Sequence, residues 1–413
     1  MSLTGYNPSN TISFGSGIYH HVALTISGNT HTVYLDGSAV ATNSSAGNVF
    51  NSYNAIQQLY IGCAADLSYG FTGLIDDFKV FNRALPYNDI IKIYSEVLTL
   101  DKLSVSAKSV MLGTSPQQKQ SGALGVRLLY TKYTGPVMKI KVGTYSGSTF
   151  NGSQEMDFYA PQDGTTGINV LKDINGNTLA SYITTWGGTC YVTVWYDQTG
   201  NSNNGNWVGT GGEPKAPPYS YFAGQTVTPT YPPTFNTITN VIDFTNNGYF
   251  KLPDSSFPVG NTAYSYIFKP TISSFSAKNC IYRGGNWNGD SGSSSQGIIY
   301  TNKKYGNNRI NNDSTSTVNF TNDGQVIADT DIGGTLGNTG RYFYFDGVLN
   351  TPTHGGNTNS RIQTSGSNYV GGPYGSGEGG SSYPNFKGTL PYFIWANASL
   401  SVTDIKSLGN TPV

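Results

Sequence analysis

Residues 20–37 read HHVALTISGNTHTVYLDG and decide how the chain is read. Alternation places Val22, Leu24 and Ile26 on one face of a strand, and Val33 and Leu35 on the same face of the next. The second strand ends in Asp36-Gly37, a pair that favours the tight hairpin turn whose central residues need φ > 0.

The same signal returns far downstream. Val33-Tyr34-Leu35-Asp36-Gly37 matches Phe343-Tyr344-Phe345-Asp346-Gly347, and Tyr60-Ile61-Gly62 matches Tyr369-Val370-Gly371. Phe71-Thr72-Gly73 then matches Phe386-Lys387-Gly388, and Asn82-Arg83-Ala84-Leu85 matches Asn397-Ala398-Ser399-Leu400. Asp89-Ile90 matches Asp404-Ile405. The blocks keep their order at offsets of 310, 309, 315 and 315, so two copies of one unit are expected. Leu74–Phe81 reads as a further strand. Pro86 followed by Ile90, Ile91, Tyr94 and Val97 reads as a short amphipathic helix with proline at its start.

Composition agrees with a β protein. The 413 residues include 52 Gly and 30 Tyr, and only 11% are charged, which excludes a coiled coil and a disordered chain. Lys+Arg and Asp+Glu both number 23, so the net charge is zero and no basic stripe points to nucleic acid. No apolar run reaches the roughly 18 residues of a membrane helix. Residues 1–20 hold neither Lys nor Arg nor an apolar run, so no signal peptide is expected. Cys63, Cys190 and Cys280 are odd in number and far apart, which reads as buried thiols. The four histidines and the Asp329–Asp331 segment match no metal-ligand spacing, so neither metal nor cofactor is expected.

The quoted stretch, together with LYIG ending at Gly62 and FTGLIDDFKVFNRAL over 71–85, resembles the laminin-G-like, concanavalin A-like jelly-roll family. That resemblance implies an all-β sandwich and leaves activity open, because the fold hosts lectins, glycosidases and adhesion modules. Two further segments, GVRLLYTKYTGPVMKIKV over 125–142 and CYVTVWYDQTGNSNN over 190–204, resemble the start of the arabinofuranosidase-B module. The same pairing is similar to the front of concanavalin A-like modules in phage and large-virus structural proteins. The expected organisation is a partial jelly roll over 1–97, a linker over 98–121, an arabinofuranosidase-B-like extension over 122–235 and a second jelly roll over 236–413. Fewer residues precede the Asp-Gly turn in the first copy than in the second, so another polypeptide is expected to complete the first sandwich.

Candidate site residues fall in two groups. Arg127, Trp195, Tyr196, Asp197 and Gln198 form a structural motif, in which Asp197 is expected to bond backbone amides of the following turn and Arg127 to pair with it. Trp287, Asp290, Trp207 and Tyr374 are carbohydrate-binding candidates, since a sugar face packs on a ring while its hydroxyls bond Asn and Asp. A glycosidase needs two carboxyl groups in one cleft. Of the four glutamates, Glu213 and Glu378 sit in glycine-rich loop contexts. The family's nucleophile segment has no match, and Asp290 stands alone as an acid candidate. The expectation is therefore a non-enzymatic protein, and the resemblance to phage and large-virus modules implies a structural or attachment role on a virion or extracellular surface. Its partners would be other polypeptides of an assembly and a glycan, not nucleic acid or membrane. The alternatives are an arabinofuranosidase-type hydrolase and a secreted carbohydrate-binding adhesion module.

Overall fold

The computed structural model describes residues 21–35, 38–44, 61, 78–87, 89–90, 99–113, 115, 118–147, 149–162, 164–207, 231–246, 248–254, 256–260, 262–276, 278–286, 293–309, 313–320, 325–333, 340–355, 368–372 and 386–409. The chain forms two compact units, Met1–Val97 and Leu98–Val413.

In the first unit, strands Val22–Ser27, Thr30–Leu35 and Ser38–Asn43 form an antiparallel meander. Val22 pairs with Leu35 and Ser27 with Thr30, and Leu35 pairs with Ser38, while Asp36-Gly37 between them lies outside the described residues. One face of this sheet carries Ala23 and Tyr34, which pack on Leu85 and Ile90. The Ile90 and Asp89 amides both donate to the Pro86 carbonyl, the first turn after that proline. The rest of the expected helix, 91–97, and the Phe71 to Asp77 block lie outside the described residues.

The second unit is mostly strand. Six strands run in the order Val348–Asn350, Arg341–Phe345, Ile327–Asp331, Tyr264–Phe268, Tyr392–Ala396 and Gly122–Gly125. A larger sheet of 16 strands among the described residues faces them. Alternation along the six-stranded sheet sends Ile327, Phe343, Phe268, Phe393 and Trp395 into the core between the sheets. Ala328, Ile267 and Ile394 point the other way, onto Leu400, Ile405 and Leu408 of the Val402–Gly409 helix.

The repeat is visible in this architecture. Ala328, Tyr344, Leu400 and Ile405 share one cluster in the second unit, as Ala23, Tyr34, Leu85 and Ile90 do in the first. At the second Asp-Gly turn both Asp346 (φ 50°) and Gly347 (φ 75°) are left-handed, as that hairpin turn requires. A Cβ on Gly347 would meet Lys406 Cγ at 2.3 Å, so the glycine also lets the closing helix lie on the turn.

Two expected boundaries are corrected. Residues 98–121 are not a linker. They hold a 3₁₀ turn at Thr99–Lys102 and a helix at Val105–Leu112, capped by the Ser104 side chain. Leu100, Leu103, Ala107 and Met111 of this segment are buried in the cluster that also holds Leu400, Ile405 and Leu408. Residues 122–235 are likewise not a separate extension. Gly122–Gly125 pairs with Tyr392–Ala396 in one sheet, and Met138–Ser146 and Thr189–Trp195 belong to the other. Cys190 and Cys280 are buried free thiols, and burial pushes each up to about 12. Cys63 lies outside the described residues.

Candidate functional site

The Tyr-Asp-Gln motif forms a knot that fixes the start of the second unit. Asp197 Oδ1 accepts the Ala123 amide at 3.0 Å, the Thr199 amide at 3.0 Å and the Thr199 hydroxyl at 2.8 Å. Its Oδ2 accepts the Asn203 amide at 3.0 Å. Gln198 Nε2 donates to the Gly125 and Arg127 carbonyls, while Gln198 Oε1 accepts the Leu129 amide at 2.7 Å. Arg127 thus joins the motif through its carbonyl. Its buried guanidinium is lowered to about 10 by burial, with Tyr392 opposing the shift. Trp195 is fully buried against Phe250, and the Tyr196 hydroxyl donates to Asp157. Asn201 and Asn203 extend the knot, their Nδ2 atoms donating to the Ser121 carbonyl. Burial raises the Asp197 carboxyl despite these bonds. The Asp197 and Gln198 contacts run inward, which suits scaffolding.

Of the carbohydrate-binding candidates, Trp287, Asp290 and Tyr374 lie outside the described residues, as do Glu213 and Glu378. Trp207 is described and is only 9% exposed. It is therefore not the open stacking platform expected from its polar loop context. Its indole instead underlies a cluster of rings that single-residue reading missed.

That cluster sits where strands Met138–Ser146, Thr149–Gly152 and Thr189–Trp195 pair. Ile140, Val142, Cys190 and Val192 enter the core, while register brings Lys141 opposite Tyr191 and Tyr145 opposite Phe150. Tyr145 is the hub. Its ring centroid lies 4.6 Å from Tyr231, 4.9 Å from Tyr191 and 5.1 Å from Phe150. The Phe150 ring lies over the cross-strand pair Gly143–Gly152, where a Cβ at either position would come within 2.9 Å of it. Two glycines thus clear the space that the ring occupies.

One cation stands among the rings. Lys141 Nζ lies 4.8 Å from the Phe150 centroid, 5.3 Å from Tyr145 and 5.5 Å from Trp207. Glu155 Oε1 is 3.9 Å from the same ammonium. A mostly buried ammonium over π-faces is held more firmly than one in water. Burial raises Tyr191, with Tyr145 and Tyr231 adding to the shift, so its hydroxyl stays protonated at neutral pH. The patch offers half-exposed ring faces, phenolic hydroxyls and one ion pair. These groups can stack on C–H surfaces and bond hydroxyls; they include no acid/base carboxylate pair. Among the described residues no cluster of His, Cys, Asp and Glu fits a metal ion, and no helix is long and apolar enough to cross a membrane.

Residues 4–91 match the concanavalin A-like lectin/glucanases superfamily in its laminin-G form. Among solved structures, an S-layer domain-containing protein (residues 221–444) from Clostridium thermocellum ATCC 27405 is 31% identical, with a TM-score of 0.18. The match covers 20% of this chain and 42% of that one. A GH54 α-L-arabinofuranosidase soaked with a cyclic sulfate inhibitor is 13% identical with a TM-score of 0.44, covering 72% of this chain and 64% of that one. A Trypanosoma rangeli sialidase in complex with 2,3-difluorosialic acid is 13% identical with a TM-score of 0.33, covering 52% and 30%. The chain thus spans less than two thirds of the length of each of these three. No curated protein matches it.

Proposed function

We propose that the chain is a non-enzymatic, carbohydrate-binding structural protein of the attachment kind, and that Tyr145, Phe150 and Tyr231, backed by the buried Tyr191 and Trp207 around Lys141, form its sugar-binding face. One observation carries this reading: the rings of Tyr145, Phe150, Tyr191 and Tyr231 and the Lys141 ammonium converge on one sheet face of the second unit. A pyranose presents a C–H face that packs on such rings, and its equatorial hydroxyls reach the phenol groups at the rim. The Lys141–Glu155 pair offers a donor and an acceptor beside the rings. The neutral, glycine-rich chain suits an outward-facing surface of a virion or an extracellular assembly, the setting implied by its resemblance to phage and large-virus structural modules.

The test is a glycan array with the full chain, followed by calorimetry on the best ligand. Binding should weaken at least about tenfold in Tyr145→Ala and in Phe150→Ala, since a stacked ring contributes on the order of 1–3 kcal/mol. An array without a binder, or binding untouched by both changes, would reject the site. A parallel assay with an aryl arabinofuranoside addresses catalysis; release of arabinose would reject the non-enzymatic reading.

A further inference from the structure

The outward face that carries the aromatic patch does not end at Lys141. Met138, Ile140 and Val142 enter the core, so the same strand turns Lys139, Lys141 and Tyr145 outward. Lys139 lies six residues from Tyr145, about 20 Å along the strand at ~3.4 Å per residue. There it pairs with Asp157 on the neighbouring strand Met156–Phe158, its ammonium 3.7 Å from the carboxylate. The Tyr196 hydroxyl donates to the same carboxylate at 2.7 Å. Burial raises Tyr196, and Asp157, Tyr133 and Tyr159 add to the shift, so a second group of phenols gathers at this end. Tyr159 leads into a cavity of about 330 Å³ that it lines with Ala160, Pro161, Asn169, Val170 and Lys172. The backbone fixes these walls. Tyr159 and Lys172 exchange amide–carbonyl bonds at 2.8 and 3.1 Å, while Phe158 and Leu171 beside them are buried in the core. Alternation therefore sends Tyr159 and Lys172 the other way. The Val170 amide donates to the Gly167 carbonyl, a turn that leaves Asn169 exposed at the rim.

Taking the Tyr145 patch as the sugar-binding face proposed above, we infer that the Tyr159 cavity is a second subsite of the same track, and that the ligand is an extended, β-1,4-linked oligosaccharide. Three features select that ligand. The cavity repeats the chemistry of the patch on a small scale: the Tyr159 ring, Pro161 and Val170 give an apolar wall for the C–H face of a pyranose, and Asn169 and Lys172 bond its hydroxyls. The two subsites stand more than 20 Å apart along one strand, which a single sugar cannot span. Between them the half-exposed pairs Lys139–Asp157 and Lys141–Glu155 alternate donor and acceptor. Such pairs contribute little by themselves at a surface, so the hydroxyls of a passing chain can take their place. A β-1,4 linkage keeps successive rings in a straight ribbon that follows a strand, whereas an α-1,4 chain coils away from it. One ligand held at both ends binds more tightly than at either alone, because the second contact is intramolecular.

The test is calorimetry on the full chain with cello-oligosaccharides from cellobiose to cellohexaose, with maltohexaose as the coiled control. Cellohexaose should bind at least about tenfold more tightly than cellobiose. Tyr159→Ala should remove that gain and leave cellobiose binding as it was, while Tyr145→Ala should weaken both ligands. Asn169→Ala changes one exposed rim residue and keeps the fold; it should cost cellohexaose about threefold to tenfold, the worth of one hydrogen bond, and cellobiose nothing. Equal affinity for cellobiose and cellohexaose, cellohexaose binding untouched by Tyr159→Ala and Asn169→Ala, or maltohexaose binding as tightly as cellohexaose would each overturn the inference. Sensitivity to Tyr145→Ala without dependence on chain length would leave the aromatic patch standing as a site for a single sugar.

Discussion

Leu24 and Asp329 hold the same register position in two copies of one hairpin. Leu24 lies opposite Val33 and Asp329 opposite Phe343, and both partners stand three residues before an Asp-Gly pair in the sequence. Two solutions to one geometric problem follow. The second unit seals its face with a buried carboxylate and the donors around it; the first carries Leu24 at that position. Asp329→Leu should therefore destabilise the second unit by about 3–5 kcal/mol, because the Tyr282 and Tyr305 hydroxyls and the Asn307 amide lose their common acceptor in a closed core. Denaturant unfolding measures this. A loss below about 1 kcal/mol would mean that the network adds little beyond its packing.

The same carboxylate predicts a pH signature. Burial raises Asp329, with Arg341 and the hydrogen bonds opposing, so its folded pKa lies above the unfolded value of ~3.9. Between those two values the folded state binds the proton and the unfolded state does not, so stability falls as pH rises through the window. The wild type should therefore gain melting temperature relative to Asp329→Asn as the pH drops from neutral towards about 4, because the amide does not titrate. A pH-independent difference between the two would count against the shift.

Those residues also mark what the sequence made legible. The repeat was readable because Asp-Gly turns and apolar alternation are local, and the pairing of Leu85 with Leu400 and Ile90 with Ile405 survives in the burial pattern. The Tyr-Asp-Gln knot was readable for the same reason, since the Thr199 and Asn203 amides follow Asp197 within six residues. The aromatic patch was not. Lys141 and Tyr191 are fifty residues apart and meet only through antiparallel register, which no local pattern states.

The helical segment that opens the second unit is hidden by its composition. Leu100, Leu103, Ala107 and Met111 recur at helical spacing, but Ser, Lys and Gln around them look like a linker. Met111→Ala should cost about 2–5 kcal/mol, the range for a buried methionine truncated in a core. In a true linker the change would be neutral, which thermal unfolding distinguishes directly.

Gly143→Ala tests how the aromatic face is built. A Cβ there would meet the Asn151 carbonyl oxygen at 2.2 Å and Gly152 Cα at 2.7 Å, backbone atoms with no rotamer to escape into. It would also displace the Phe150 ring, whose Cζ lies 2.9 Å from the same point. The expected outcome is a folded protein with a loosened hairpin and sugar binding weakened at least as far as in Phe150→Ala. Calorimetry read beside the Phe150→Ala value decides; full binding in Gly143→Ala would show that the ring has another place to sit.

Asp197→Ala tests the knot, and here location matters as much as magnitude. The carboxylate joins the Ala123 amide, on the strand that closes one sheet, to the Thr199 and Asn203 amides of the turn after Trp195. Asn203 in turn holds the Lys119 and Ser121 carbonyls, so the segment entering the Gly122–Gly125 strand hangs from this one acceptor. Removing it orphans four buried donors, three amides and the Thr199 hydroxyl, and unties the entering segment from the turn. A loss of about 3 kcal/mol or more is expected. Hydrogen exchange should accelerate first at Ala123 and Asn203, and then along 118–129, while the paired amides of Tyr264–Phe268 in the middle of the same sheet stay protected. Uniform acceleration across the sheet would instead make Asp197 one contributor among many to global stability, not the fastening of this edge.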